Sequence, residues 1–180
     1  MQDEFNVIFL DVDGVLNNYA SRKHKEIANF HSKIFSEKDF IEDDFNFDPK
    51  CLEALNELIT SLTNPKIVIS SDWRFHTSPR HFHEMFEVVG VKYTPIDLTG
   101  YNPLGGNDQP RTRSKRIMEY VNSHDHIRAY CAIDDRKDLF EEDFTQVVFT
   151  DPHTGLTDED VKKVLEKLSH EPKKSSPETK

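Results

Sequence analysis

Two carboxylates spaced two residues apart, Asp11 and Asp13, follow the apolar run Val7-Ile8-Phe9-Leu10 and precede Gly14. A run of that length suits a buried strand, so polar chemistry stands at a strand's end with a turn behind it. On an extended chain residues i and i+2 share a face. Both carboxylates then lie together at the edge where open α/β sheets bind ligands. Like charges that close call for a cation, and hard oxygen donors suit Mg²⁺. Two further apolar runs end in polar pairs: Ile67-Val68-Ile69 in Ser70-Ser71, and Ala129-Tyr130-Cys131-Ala132-Ile133 in Asp134-Asp135. If the strands are parallel, all three sets meet on one edge.

The elements between these strands are helical. Asp48-Pro49 supplies an N-cap and a first-turn proline ahead of Leu52, Leu55, Leu58, Ile59 and Leu62, which predicts a helix ending near Thr63-Asn64-Pro65. Further helices are expected over Pro79 to Val89, over Arg113 to Ser123, and from Thr157-x-x-Asp160 through Val161, Val164, Leu165 and Leu168. Val91-Lys92-Tyr93 and Val147 to Thr150 read as short strands, and the breaker-rich stretch Ile96 to Pro110 as an exposed loop. Strands alternating with helices imply a Rossmann-like α/β fold with a parallel sheet of about five strands. Asn17 to Phe47 is polar and poorly periodic and reads as a small insertion. From Ser169 the Lys/Ser/Pro/Glu composition cannot bury a core, so residues 169–180 are expected to form a disordered tail after a domain of residues 1–168.

With 180 residues and 36% hydrophobic content, one domain is expected. The formal net charge of −10 argues against coating nucleic acid through bulk electrostatics, but leaves room for a local basic site at Arg111, Arg113, Lys115 and Arg116. No apolar run reaches signal-peptide or membrane length, which points to no membrane partner and a cytoplasmic location. Cys51 and Cys131 suit reduced thiols. His76, His81 and His83 lack a matching fourth ligand for zinc and read as surface residues.

Taken in order, Asp11-x-Asp13-Gly14, Ser70 after Ile67-Val68-Ile69, Arg113/Lys115 at a helix start and Asp134-Asp135 resemble the four motifs of the haloacid dehalogenase (HAD) superfamily, from Val7 to Leu168. Ile69-Ser70-Ser71-x-Trp73-Arg74 and Phe149-Thr150-Asp151-Pro152-x-x-Gly155-Leu156-Thr157 resemble the HAD domain of "Swiss Army Knife" RNA repair proteins. Ala132-Ile133-Asp134-Asp135-Arg136 is similar to the phosphatase half of polynucleotide kinase/phosphatases.

The resemblance implies a three-layer HAD-type fold with only a minimal cap, because 17–47 is too short for a domain that encloses small metabolites. It implies Asp11 as a nucleophile forming an aspartyl-phosphate, and Asp13 as general acid and base. Thr at the second position marks members that store the phosphoenzyme, so Asp13 favours a phosphatase. Mg²⁺ would be held by Asp11, the carbonyl of Asp13 and, by strand phase, Asp135, with Asp134 acting from behind. Ser70, or Ser71 if the register differs by one, would meet the phosphoryl oxygens. Arg113 is the first choice for the phosphate-binding cation and Lys115 the second. Trp73 and Arg74 would hold a base or phosphate of the substrate, unless Trp73 packs under its loop. The implied activity is a Mg²⁺-dependent phosphomonoesterase acting on nucleic-acid ends or nucleotides. The alternatives are a phosphatase of small metabolites or phosphoproteins, and a catalytically silent binding module.

Overall fold

The computed structural model describes residues 4–22, 47–75, 77–93, 95–100 and 112–169. The body of the 17–47 insertion, the loop residues 101–110, Arg111, His76 and the tail beyond Ser169 lie outside the described residues.

The central strand β1 (Phe5–Leu10) pairs in parallel with β2 (Pro65–Ile69) on one side and β4 (Ile127–Asp134) on the other. β3 (Pro95–Leu98) lies outside β2 and β5 (Val147–Phe149) outside β4, giving a five-stranded parallel sheet of order β3-β2-β1-β4-β5. Val7 to Leu10 are wholly buried, as a sheet covered on both faces requires. Ile8 and Leu10 pack with the apolar sides of α2 (Pro49–Thr60), α3 (Pro79–Val88) and α5 (Asp158–Ser169), while Val7 and Phe9 pack with Ile117 and Val121 of α4 (Arg113–Asn122). A four-residue helix, α1 (Tyr19–Arg22), follows the turn after β1.

The caps are those the residue types predict. Asp48 accepts from Lys50 N at 2.9 Å and Ser78 from His81 N at 3.3 Å, opening α2 and α3. Thr157 and Asp160 bond reciprocally at the start of α5, Asp160 N to Thr157 Oγ1 at 3.4 Å and Thr157 N to Asp160 Oδ2 at 3.3 Å.

One expected strand is absent. Val91 to Tyr93 do not pair with the sheet; β3 begins at Pro95 and runs to Leu98, into the stretch read as a loop from Ile96. The apolar Val91 belongs instead to the stop of α3: Gly90 turns at φ 78°, its N–H meets Glu87 O at 3.3 Å, and Val91 N meets Phe86 O at 2.9 Å. This is a Schellman closure, whose buried hydrophobe imitates a strand residue in sequence. Pro95 is tolerated because β3 is an edge strand, where a missing N–H leaves no ladder partner unsatisfied.

The chain builds outward from β1 to β2 and β3, then returns to the opposite side of β1 with β4. At that reversal the carboxyl ends of β1 and β4 stay joined, Asp11 N bonding Ile133 O at 3.0 Å, and the crevice for a ligand opens above them. Among the described residues no helix is long and apolar enough to cross a membrane.

Candidate active site

β1 ends at Leu10, and the next residues form a tight turn rather than more strand. Asp11 Oδ1 accepts from Val12 N at 2.8 Å, and Gly14 takes φ 73°. A Cβ on Gly14 would stand 2.4 Å from Asp135 Oδ2, so the position needs glycine both for its backbone and for the carboxylate beside it. Asn17 closes the turn: its Oδ1 accepts from Gly14 N at 3.2 Å and its Nδ2 donates to Asp13 Oδ1 at 3.0 Å.

A second loop, between β5 and α5, clamps this turn from outside. Thr150 Oγ1 donates to Gly14 O at 2.8 Å, Leu156 N to Val15 O at 2.8 Å, and Tyr19 N to Pro152 O at 3.0 Å. Asn18 Nδ2 donates to Thr154 O at 3.0 Å and to Asp48 Oδ2 at 2.7 Å, tying in the start of α2. The loops meet so closely that a Cβ on Gly155, at φ 69°, would stand 2.7 Å from Val15 O.

Above the turn is a cavity of about 270 Å³ that opens to solvent. Asp11, Asp13, Ser71, Arg113 and Asp135 form its floor; Tyr19, Asp72, Arg136 and Pro152 complete its wall. Arg113 enters from the first turn of α4 and is buried. Its Nη1 donates to Asp11 Oδ2 at 2.6 Å and also to Asp134 Oδ2, while Nη2 lies 3.4 Å from Asp72 Oδ1. Asp134 is wholly buried and also accepts from Arg136 N at 2.9 Å, so it lies behind the cavity rather than on its lining. Asp135, half-buried, lines the cavity itself.

The electrostatics are lopsided. One guanidinium sits among three carboxylates, Asp11, Asp134 and Asp135, each with an oxygen within 4.8 Å of the others'. Burial, then the charge of Asp11, raises the pKa of Asp134, and the same two causes in the same order raise that of Asp135. Arg113, held charged by Asp11 and Asp134 against its own burial, offsets only part of this. A set of hard oxygens with surplus negative charge is the donor chemistry that fits Mg²⁺.

Trp73 Nε1 donates to Asp13 Oδ2 at 2.8 Å, so both oxygens of Asp13 are held by N–H donors. The indole packs against Phe47 and Phe82 with ring centroids 6.1 and 6.4 Å away. It belongs to the core edge and to Asp13, and does not present a platform for a base. Arg74 likewise turns inward, donating through Nη1 to Ser71 O at 2.9 Å and Asp72 Oδ1 at 3.0 Å over the ring of Phe75. Neither lines the cavity, which corrects the expectation that this pair holds substrate.

Two other choices are decided by phase. Lys115 stands two positions beyond Arg113, about 200° around a helix; it points outward to Glu141, with Nζ–Oε1 at 2.9 Å. Ser70 continues the β2 ladder, its N bonding Leu10 O at 2.9 Å, and its hydroxyl is buried without a partner among the described residues. Ser71 lines the cavity instead, the register having slipped by one relative to the first choice. His81 and His83 lie on exposed turns of α3, away from the acidic cluster.

Sequence reasoning missed Asn17, Tyr19, Asp72, Arg136 and Thr150. Asn17 carried a signal, since Asn within a Gly turn commonly bonds nearby backbone. Thr150 stood in the motif Phe149 to Thr157 but its partner was not legible, and Tyr19 carried no signal, because both roles depend on contact between loops more than 130 positions apart.

A search among curated proteins and among solved structures finds no match. A family model described as "HAD domain in Swiss Army Knife RNA repair proteins" matches residues 7–161, a span that takes in most of β1, all of β4, the clamping loop and every side chain named at the cavity. With the motif residues of that span converging on one crevice, the chain belongs to the family of HAD domains found in Swiss Army Knife RNA repair proteins.

Proposed function

We propose that the protein is a Mg²⁺-dependent phosphomonoesterase working through an aspartyl-phosphate on Asp11, with nucleic-acid ends or nucleotides as substrates. Membership of the family carries a HAD phosphatase-type activity. The observation that supports the finer reading is the different dress of two carboxylates on one cavity. Asp11 is bound by a backbone N–H and by Arg113, whereas Asp13 is bound by two neutral donors, Trp73 and Asn17. Asp11 stands beside a cation, which suits a nucleophile that must meet an anionic phosphoryl group. Asp13 is oriented at the cavity by neutral donors, which suits a group that handles the leaving-group proton.

In the first step an oxygen of Asp11 bonds to phosphorus while the bond to the leaving oxygen breaks, and Asp13 gives its proton to that oxygen. In the second, water attacks the same phosphorus, Asp13 takes the water's proton, and the Asp11 acyl-phosphate bond breaks to release inorganic phosphate. Arg113 and the Ser71 hydroxyl face the phosphoryl oxygens and stabilise the charge they carry in both transition states. Asp11 and Asp135, with Asp134 behind them, would hold Mg²⁺. Bound there, the ion neutralises carboxylates and phosphoryl oxygens, so that one anion can approach another.

The test is phosphate release by purified protein from end-phosphorylated oligonucleotides, nucleotides, sugar phosphates and phosphopeptides, with Mg²⁺ and with chelator. Nucleotide or end-phosphate turnover that needs Mg²⁺ and vanishes in Asp11→Asn is expected. Undiminished turnover in Asp11→Asn, or far faster turnover of sugar phosphates or phosphopeptides, would overturn it.

A further inference from the structure

Five of the cavity's lining groups are spoken for by phosphoryl chemistry, and what remains, apart from Gly14 and the Asp72 carboxylate beside Arg113, is a wall of different character. Tyr19 is 44% exposed and lines the cavity beside Pro152, while Arg136 lines it from the end of β4. These groups are held in place. Tyr19 N bonds Pro152 O at 3.0 Å, and the Tyr19 ring is braced edge-on by His153 at a centroid distance of 4.9 Å. The Arg136 backbone is anchored to Asp134 by its N–H at 2.9 Å. Its guanidinium is aligned by Asp138, which takes Nε at 2.8 Å and Nη2 at 2.7 Å, and leaves the Nη1 edge uncommitted among the described residues.

We infer that Tyr19, Pro152 and Arg136 form a leaving-group subsite that takes a nucleoside, with its base against the Tyr19–Pro152 wall and a further phosphate on Arg136. This rests on the phosphomonoesterase reading above and adds to it the residues that choose the substrate. The chemistry of the wall argues for it. A partly exposed phenol and a proline that line the same cavity supply apolar surface of the kind a planar base packs against. A guanidinium that keeps free N–H groups while its direction is fixed suits a phosphate oxygen. The Arg136–Asp138 pair is solvent-exposed, so it aligns the guanidinium without a strong hold on it. A sugar phosphate has no planar face for the wall, and a phosphopeptide has no second anion at a fixed spacing.

The subsite is tested by binding, apart from turnover. Non-hydrolysable phosphonate analogues of adenosine 5′-phosphate, of adenosine 3′,5′-bisphosphate and of ribose 5-phosphate are titrated calorimetrically in Mg²⁺ into wild type, Tyr19→Ala, Tyr19→Phe and Arg136→Gln. Wild type should prefer the adenosine compound to the ribose compound by roughly tenfold, the scale of one stacked base. Tyr19→Ala should bring that ratio close to one and Tyr19→Phe should keep it. Arg136→Gln should reduce the extra affinity of the bisphosphate over the monophosphate severalfold. Equal affinity of wild type for adenosine and ribose compounds, or an undiminished ratio in Tyr19→Ala, overturns the subsite. Because the ratio is read within each variant, a general loss of affinity does not mimic the effect. Turnover of the matching phosphates by wild type is measured separately: its absence would defeat the phosphatase reading and leave the binding ratio to judge the wall.

Discussion

At the residue scale, the protein separates two carboxylates by what each is allowed to accept. Trp73 does this for Asp13 with one N–H, and Trp73→Phe removes the bond while keeping an aromatic ring against Phe47 and Phe82. General acid catalysis is worth about 10²–10⁴-fold, and losing the alignment of the acid should remove roughly tenfold of it. The loss should be larger for alkyl than for nitrophenyl phosphates, because a good leaving group needs little protonation. Equal slowing of both in a leaving-group series would rule out this role for Trp73. Gly14 acts on Asp135 by having no side chain. Gly14→Ala forces a Cβ into the Asp135 carboxylate at a backbone φ that disfavours it by about 1–2 kcal/mol. A higher Mg²⁺ concentration for half-maximal turnover is expected, along with a smaller rise in melting temperature on adding Mg²⁺. An unchanged Mg²⁺ response would show that Asp135 is not a ligand.

At the element scale, three chain segments far apart in sequence share one hydrogen-bonded node. Asp48 caps α2 through Oδ1 and holds Asn18 through Oδ2, and Asn18 in turn holds the loop after β5 at Thr154. Asp48→Ala therefore removes a cap worth about 1 kcal/mol and also frees the turn that carries Asp13. In a domain of this size that loss lowers the melting temperature by roughly 2–4 °C per kcal/mol. Turnover should fall with it. Asp48→Asn keeps an acceptor oxygen and should restore most of the stability; a Tm as low as that of Asp48→Ala would show that the helix cap is not the cause. Thr150 and Gly155 of the clamping loop do not line the cavity. They fix the turn of Asp11 and Asp13 from behind.

At the scale of the whole molecule, the fold stores protons on buried groups. Burial pushes the Cys131 thiol up from 9.0 to about 12, Cys51 from 9.0 to about 11, and the Tyr120 phenol from 10.0 to about 12. The unfolded chain gives up these protons at lower pH than the native one. The native state therefore keeps its full advantage below about pH 9 and loses it as pH rises toward 11–12. Urea midpoints should fall across that window, and Cys131→Ala should make the decline shallower than in wild type. A slope unaffected by the substitution would mean that the thiol carries none of it. The net charge of −10 sits outside the cavity's local logic. It disfavours long polyanions at low salt, whereas Arg113 and Arg136 both line the cavity and give it local positive charge.

Legible in the residues alone were the parallel α/β architecture, the strand-end position of Asp11 and of Asp134-Asp135, the caps at Asp48 and at Thr157/Asp160, and the start of a helix at Arg113. These follow from periodicity and cap chemistry, which act over a few residues and are written in adjacent letters. The sequence left open which of two neighbouring candidates faces the site. Ser71 rather than Ser70 lines the cavity because the phase of β2 is set by β1, and Trp73 turns from substrate to Asp13 because Phe47 and Phe82 receive its ring. Val91 read as strand because a helix stop and a strand both bury an apolar residue after a glycine. The roles of Asn18, Tyr19 and Thr150 arise only when the loop after β5 closes on the turn after β1. A local pattern specifies the period of an element. Its phase against a distant partner is chosen by the packing of the whole chain.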